Sequence, residues 1–245
     1  TRLGVQNYWN LIKYKNISKM FKPFLQLLYP KLCFACQEPL FSSEEFICTT
    51  CRIELPRIVF TQNTPDWVRA KFDGLIEFSA AHAFFQFMPG GRVQQLMHQI
   101  KYKGASELGV FLGAWAGDSL KKSHYCSEIN GIVAIPLHPK RLKERGYNQA
   151  AVIALGVAKS LNLPLMDNIL VRTTQSHSLI GLNRAARYDE LENVFEVIDP
   201  EKIRGSHVLI IDDTLTTGAT FLAAAQKIRA AGATKVSFFA LAALK

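Results

Sequence analysis

The stretch VLIIDDTLTTGATF, residues 208–221, joins four aliphatic residues to two adjacent carboxylates and a threonine-rich turn around one glycine. A short apolar run that ends in such a turn is typical of a buried strand. In open parallel sheets, ligands bind beyond the carboxyl ends of the strands. The stretch therefore predicts a ligand site at the end of a strand.

Segments of strand and helix type alternate from about residue 72 to the end of the chain. The runs LIEFSAAHAFF, GIVAIP, NVFEVI and KVSFFALA have strand composition, whereas GRVQQLMHQIKYKG, ELGVFLGAWAGDSLKK, NQAAVIALGVAKSL and TFLAAAQKIRAAG have helical periodicity. We expect Met97 and Trp115 in the core rather than in a cofactor site. The alternation predicts a doubly wound, parallel α/β sheet over residues 72–245.

Composition limits the class of protein. A chain of 245 residues with 49% hydrophobic content can bury one sizeable core and carry a small appendage. Its formal net charge of +9 favours a polyanionic partner, although many basic proteins are merely soluble. No apolar run is long enough for a membrane span and no signal peptide pattern opens the sequence, so we expect a cytoplasmic protein.

The first 30 residues form an extension before the first cysteine. Thr1 is not a start residue, and we expect no functional residue among residues 1–19, which precede the more organised run that begins at Met20. The later run FLQLLYP is apolar but too short to cross a membrane, and it is typical of a docking helix.

Four of the five cysteines lie close together, as Cys33, Cys36, Cys48 and Cys51. Two C-x2-C pairs suit tetrahedral Zn²⁺, and the segment between them can form a hairpin that returns the second pair to the metal. Four sulfur ligands leave no open position for water, so we expect a structural zinc module over residues 31–57. A redox pair is the alternative for either half alone. Cys126 is interpreted as an ordinary buried or half-buried cysteine.

The turn after the VLII run has the composition of a phosphate cradle. Backbone N–H groups, the Gly218 backbone and a helix N-terminus suit a phosphate, together with the hydroxyls of Thr214, Thr216, Thr217 and Thr220. Asp212 and Asp213 would repel that phosphate, but they can accept hydrogen bonds from two adjacent hydroxyls of a ribose. The turn therefore suits a ribose 5-phosphate. An acidic turn with a threonine N-cap is the alternative, and it explains only one Asp and one Thr.

VLIIDDTLTTGAT resembles the phosphoribosyl-pyrophosphate (PRPP) signature of type I phosphoribosyltransferases. IPLHPKRLKERGYNQA, residues 135–150, resembles the corresponding stretch of the competence protein F (ComF) family, whose members join an N-terminal four-cysteine zinc module to a phosphoribosyltransferase domain. Order and spacing agree from about Met20 to Lys245. The resemblance implies a type I phosphoribosyltransferase-like fold over residues 72–245.

The resemblance also implies roles for individual residues. Asp212 and Asp213 would hold the ribose hydroxyls, and the 5-phosphate would lie among Thr214, Thr216, Thr217, Gly218 and Thr220. The pyrophosphate would face His138, Lys140 and Arg141, with Arg145 close by and Mg²⁺ alongside. A solvated helix face is the alternative for this basic segment. Gly146, Asn148 and Gln149 match the family motif too, either as ligand contacts or as residues that shape the loop.

The flexible loop that closes over phosphoribosyltransferase sites should lie within residues 172–195. Its candidate members are Arg172, Gln175, Arg184 and Arg187, but the Gln and Asn-Val elements of the family are displaced here. His177 is a candidate base, whereas a lone loop histidine usually faces solvent.

Two functions from different classes follow. In the first, the chain is an enzyme: a nitrogen base displaces pyrophosphate from PRPP, with Mg²⁺, Lys140 and Arg141 stabilising the leaving group beside Asp212 and Asp213. In the second, which the family's link to natural transformation favours, the chain handles DNA during uptake together with the uptake machinery. It would then bind single-stranded DNA by charge and by stacking on Phe34, Phe41 and Phe46, although these rings can equally form the module's core.

Overall fold

The computed structural model describes residues 30–59, 65–121, 127–173 and 194–245. The chain divides into two compact units, residues 1–53 and 54–245. The expected docking helix in FLQLLYP and Cys126 lie outside the described residues. No helix in the described ranges combines the length and apolar character that a membrane crossing needs.

The larger unit contains a four-stranded parallel sheet. It is built from β1 (Ala80–Phe87), β2 (Gly131–Ala134), β5 (His207–Leu215) and β6 (Lys235–Leu244), in the order β1-β6-β5-β2. All three pairings are parallel, with Ile132 opposite Leu209 and Ile210 opposite Phe238. The middle strands β5 and β6 are almost entirely buried, as continuous apolar runs predict. The predicted parallel α/β sheet is confirmed.

The helices over the described residues are α1 (Thr49–Glu54), α2 (Asp66–Arg69), α3 (Arg92–Tyr102), α4 (Ser106–Leu120), α5 (Pro139–Arg145), α6 (Gln149–Leu161) and α7 (Ala219–Ala230). A 3₁₀ turn occupies Pro200–Lys202. Met97 is buried on α3, as expected. Trp115 is half-buried, with its ring edge-on to Phe84 and Phe85 at 5.2 and 5.8 Å between centroids.

Close backbone contact joins α4 to α6. A Cβ atom on Gly113 would lie 2.2 Å from the carbonyl oxygen of Ile153, and one on Gly156 would lie 2.1 Å from that of Val110. These distances exclude any larger residue without movement of the backbone. The glycines therefore bring α4 against α6, which packs on β2 and β5.

A small antiparallel pair, β3 (Leu170–Arg172) and β4 (Phe195–Val197), stands apart from the parallel sheet. The NVFEVI run is thus a strand, but it pairs with β3 rather than extending the parallel sheet. Local composition can predict that a segment is a strand, but it cannot predict which strand it pairs with. The prediction therefore gave the strand and missed its partner. Arg172 pairs with Phe195 in this register.

Candidate functional site

The adjacent carboxylates of Asp212 and Asp213 lie near the C-terminal end of β5. Both side chains are half-buried, and the backbone N–H of Asp213 donates to Oδ1 of Asp212 at 2.8 Å. The strand continues through Thr214, which is opposite Ala242, to Leu215. The turn therefore begins later than the sequence suggests, because pairing with β6 keeps Thr214 extended.

Lys101, at the end of α3, reaches this strand end and was missed by sequence reasoning. Its Nζ lies 3.2 Å from Oδ1 of Asp213 and donates to Oγ1 of Thr214 at 3.2 Å. The Lys101 and Asp213 side chains are only 23% and 15% exposed. A lysine in the last turn of a helix is ordinary, so the sequence around Lys101 carries no signal for this contact.

Asp212 has a strongly perturbed acidity. Burial and the neighbouring Asp213 carboxylate raise the pKa of Asp212 to about 8, against the opposing effects of the Asp213 backbone N–H and the cations Lys101 and Arg172. The strand end therefore holds a carboxyl group that titrates near neutrality beside an aspartate paired with lysine.

Arg172, the one candidate loop residue that the structure describes, is electrostatically linked to this site. Burial and the Arg141 charge lower the pKa of the Arg172 guanidinium, whereas the Asp212 carboxylate raises it. Its Nε is buried without a hydrogen-bond partner among the described residues, and its guanidinium carbon lies 5.6 Å from the Phe195 ring centroid. The other candidates, Gln175, His177, Arg184 and Arg187, lie outside the described residues.

The threonine-rich turn leads into the N-terminus of α7. Thr216 and Thr217 are exposed, Thr220 is half-buried, and Oγ1 of Thr217 accepts from the backbone N–H of Ala219 at 3.4 Å. Gly218 adopts φ +85°, and a Cβ there would lie 3.0 Å from the Phe72 ring. Gly218 is therefore required for two reasons: its backbone is left-handed, and a side chain there would be pressed against the Phe72 ring.

The basic segment forms a short helix, α5, rather than the expected loop. His138 is its N-cap, and His138 Nδ1 accepts from the backbone N–H of Lys140 at 3.2 Å. Lys140 and Arg141 are exposed. Arg145 donates to Oε1 of Gln149 at 2.8 Å and places its guanidinium carbon 5.2 Å from the Tyr102 ring centroid. Arg145 is therefore held by protein groups, whereas Lys140 and Arg141 face solvent.

The GYN residues after α5 fix the local backbone. Gly146, at φ +80°, closes α5 by donating its N–H to the carbonyl of Leu142 at 2.8 Å. The Tyr147 hydroxyl donates to the carbonyl of Ile100, next to Lys101. Asn148 caps α6 and donates through Nδ2 to the carbonyl of Ile135 at 2.9 Å. These contacts favour the loop-shaping interpretation of the motif.

The four cysteines of the smaller unit converge. Their sulfur atoms all lie within 4.8 Å of one another, no disulfide joins them, and the Cys36 and Cys48 sulfurs are 3.7 Å apart. Sulfurs at about 2.3 Å from a tetrahedral ion would be about 3.8 Å apart. The group could therefore bind a metal ion.

Backbone donors support this cluster. The Cys48 N–H points at the Cys33 sulfur at 3.3 Å, and the Cys51 N–H at the Cys48 sulfur at 3.4 Å. Burial raises the pKa of Cys33, but backbone hydrogen bonds outweigh it and lower that pKa to about 7. Cys51 lies on α1. Residues 37–47 between the pairs contain a turn and, at Pro39, one antiparallel bridge to Leu32, but no strand of the expected hairpin in that described segment.

The three phenylalanines of the smaller unit divide into two kinds. The Phe34 and Phe46 rings lie 6.2 Å apart, and the Phe34 backbone N–H donates to the carbonyl of Phe46 at 3.0 Å. Phe41 is 78% exposed. Phe34 and Phe46 therefore contribute to the packing of the module, and Phe41 is the ring available for stacking.

Residues 148–244, which include the carboxylate pair and the threonine turn, match the phosphoribosyl transferase domain family. The chain is 28% identical over 123 residues to competence protein F of Haemophilus influenzae, an alignment that covers 50% of this chain and 54% of that protein.

Two further relatives align over most of the chain. The DNA utilization protein YhgH of Salmonella typhi is 26% identical over 237 residues, which cover 88% of this chain and 98% of the relative. Competence protein ComFC of Bacillus subtilis is 25% identical over 89% of this chain and 87% of the relative. The resemblance to the competence protein F family is confirmed.

Proposed function

We propose that this chain, a homologue of the competence protein F and YhgH proteins that carries a phosphoribosyl transferase domain, binds PRPP or a related ribose phosphate and acts in DNA uptake or utilization. The observation that carries the proposal is the Asp212–Asp213 pair near the end of β5, followed by the glycine turn and the N-terminus of α7. The names of the relatives supply the biological context.

In this proposal the two carboxylates bind the ribose hydroxyls. The 5-phosphate lies against the turn, where Thr216, Thr217 and Thr220 offer hydroxyls and α7 offers backbone N–H groups that no N-cap side chain occupies. The Thr214 oxygen accepts from Lys101 in the free protein, and its O–H is still able to donate to the phosphate.

Several cations are available for the pyrophosphate. His138, Lys140 and Arg141 were expected there from the sequence, and the electrostatic link from Arg141 through Arg172 to Asp212 supports Arg141 in particular. Arg145 is the weakest of the expected set because Gln149 and Tyr102 already hold it. Mg²⁺ would accompany the pyrophosphate and neutralise part of its charge.

Catalysis is the second candidate function, and one observation favours it. A carboxyl group with a pKa of about 8, as at Asp212, is suited to proton transfer near neutral pH. In an active phosphoribosyltransferase a nitrogen base would displace pyrophosphate from C1 of PRPP. The bond from C1 to the pyrophosphate oxygen breaks and a C–N bond forms, and the proton that the base loses passes to the ionised form of Asp212 or to water.

The four-cysteine group is proposed to hold a structural Zn²⁺. Its sulfur spacing and closed ligand set suit that ion, and backbone N–H groups directed at sulfur stabilise thiolates. A role of this unit in binding single-stranded DNA through Phe41 belongs to the same proposal.

The proposed site is tested by isothermal calorimetry of the full chain with Mg²⁺·PRPP, ribose 5-phosphate and pyrophosphate. We expect saturable binding of PRPP and weaker binding of ribose 5-phosphate, because the latter lacks the pyrophosphate. Absence of heat with both sugar phosphates, for a protein that unfolds cooperatively, would remove the basis of the proposal. A parallel screen for pyrophosphate release with individual nucleobases distinguishes a binding protein from an enzyme.

A further inference from the structure

A cavity of about 430 Å³ lies between the end of α3 and the short helix α5. Its lining comes from two residues of α3 and three of α5: Lys101, Tyr102, Arg141, Glu144 and Arg145. Its cations Lys101, Arg141 and Arg145 are shared with the proposed phosphoribosyl site, whereas Tyr102 and Glu144 belong to the cavity alone. A volume of this order suits a small ligand or one unit of a chain.

The charge of the lining selects an anion. Three of its five side chains are cations and one is a carboxylate. Arg141 and Glu144 are exposed, and Arg145 is held in place by Gln149. Gln149 engages one guanidinium nitrogen of Arg145, and the N–H donors that remain are held in a fixed orientation in which they can bind a phosphate in this cavity.

Tyr102 adds a flat apolar surface to the cavity. Its side chain is 63% exposed although it is large and hydrophobic, and the guanidinium carbon of Arg145 lies 5.2 Å from its ring centroid. The exposed His98, one turn earlier on α3, places its ring 5.1 Å from the same ring. Exposed planar groups beside cations are the arrangement on which nucleobases stack next to their phosphates.

We infer that this cavity binds one nucleotide unit, with the base stacked on Tyr102 and the phosphate between Arg141 and Arg145. An inorganic anion would leave the Tyr102 ring unused, and the acidic side chains of a peptide contain no aromatic ring to stack on it. The inference deepens the DNA-handling part of the proposed function, on which it rests, by assigning a nucleic-acid contact to the larger unit.

The position of Lys101 connects this cavity to the phosphoribosyl site. The side chain lines the cavity, while its Nζ contacts Asp213 and Thr214. A phosphate in the cavity and a ligand at the carboxylates therefore share one cation. Nucleotide and PRPP are expected to affect each other's affinity even when each occupies its own pocket.

The test measures fluorescence anisotropy of a labelled oligodeoxythymidine of roughly 15 nucleotides with the full chain. Tyr102→Ala is expected to weaken binding at least about fivefold through loss of stacking, whereas Tyr102→Phe, which keeps the ring, stays within about twofold of the original. Glu144→Gln is expected to tighten binding because it removes a negative charge from the lining. Lys143→Gln is the matched control, because Lys143 is exposed on the same helix but does not line the cavity.

Competitors identify the source of the nucleotide unit. If thymidine monophosphate displaces the oligonucleotide, the result supports a free nucleotide as the ligand of the cavity. If only unlabelled oligonucleotide displaces it, the result supports single-stranded DNA as the ligand. Displacement by polyglutamate of equal charge would overturn the inference, because a general polyanion surface would then suffice.

The remaining outcomes separate this inference from the proposed function. If the unmodified chain binds the oligonucleotide and the Tyr102→Ala variant binds it equally well, the assignment of the nucleotide to this cavity is wrong, but the proposal that the chain binds DNA stands. If the unmodified chain binds neither oligonucleotide nor thymidine monophosphate, both this inference and the DNA-binding proposal fail. PRPP binding, measured separately by calorimetry, is untouched by either result.

Discussion

The Nζ atom of Lys101 lies 3.2 Å from Oδ1 of Asp213, one of the two carboxylates proposed to bind ribose. This ion pair is mostly shielded from water, and the Tyr147 hydroxyl fixes the backbone next to it by donating to the carbonyl of Ile100. The free site therefore holds the Asp213 side chain in a defined position before any ligand arrives. It also places a cation where a phosphorylated ligand would have to approach.

Removal of that cation is the first prediction. Lys101→Met keeps the aliphatic stem but removes the charge, and we expect it to weaken PRPP binding by about tenfold or more through loss of a charge-assisted contact. Calorimetry with Mg²⁺·PRPP measures the change. Lys103→Met, which removes an exposed lysine two residues later, is the control and should leave the affinity unchanged. Equal affinities for the two variants would contradict a role for Lys101.

The carboxylate pair gives the second prediction. Combined Asp212→Ala and Asp213→Ala substitutions are expected to weaken PRPP binding by at least ~2 kcal/mol, because each removes a carboxyl group that would accept a hydrogen bond from a ribose hydroxyl. The variant should still unfold cooperatively in urea, since both side chains lie near the end of β5 and are half-buried. Unchanged PRPP affinity in a folded variant would exclude the proposed site.

The pH dependence of stability gives the third prediction. Because the pKa of Asp212 rises from an ordinary 3.8 to about 8, the folded chain holds a proton there that the unfolded chain has released between these values. The free energy of unfolding contributed by this residue is fully present below pH ~4 and is lost as pH rises to about 8.

Asp212→Asn removes this titration while keeping a similar side chain. The stability of the variant relative to the unmodified protein should therefore increase with pH and level off above about pH 8. Urea unfolding of both ligand-free proteins between pH 5 and about 9 measures the difference. Parallel pH profiles would show that Asp212 is ionised in the free protein throughout.

The sequence predicts what is local in this site and misses what depends on tertiary contact. The VLIIDD run and the Gly218 turn can be predicted from the sequence, because strand composition, adjacent acids and a turn glycine lie within fourteen residues. Lys101 could not be predicted, because its contact with Asp213 exists only when the fold brings the end of α3 to the end of β5. The NVFEVI strand was recognised for the same local reason, but its pairing with β3 depends on a partner that no local pattern specifies.

The cysteine cluster gives the fourth prediction. Protein purified without chelator is expected to contain one zinc ion per chain, and Cys33→Ser or Cys51→Ser should lower that content, because both side chains are buried in the cluster. We expect chelation to unfold the smaller unit and to leave the parallel sheet folded, since the larger unit has its own core. Elemental analysis and far-UV circular dichroism measure both effects. Protein without zinc, or loss of the whole fold on chelation, would contradict the prediction.

The last prediction separates DNA handling from nucleotide salvage. If the chain handles DNA, it should bind single-stranded oligonucleotides of any sequence, with an affinity that falls steeply as salt rises because phosphate neutralisation releases counterions. Lys140 and Arg141 are both exposed on α5. If the DNA and PRPP sites overlap, reversing both charges should weaken the binding of oligonucleotide and of PRPP together, and PRPP should compete with DNA. If the four-cysteine unit is the DNA site, only PRPP binding should weaken. Lys143→Glu, on the same helix, controls for net charge. A salvage enzyme should instead release pyrophosphate from PRPP with one particular base and give no gel shift at low or moderate salt, and that pair of results would end the DNA proposal.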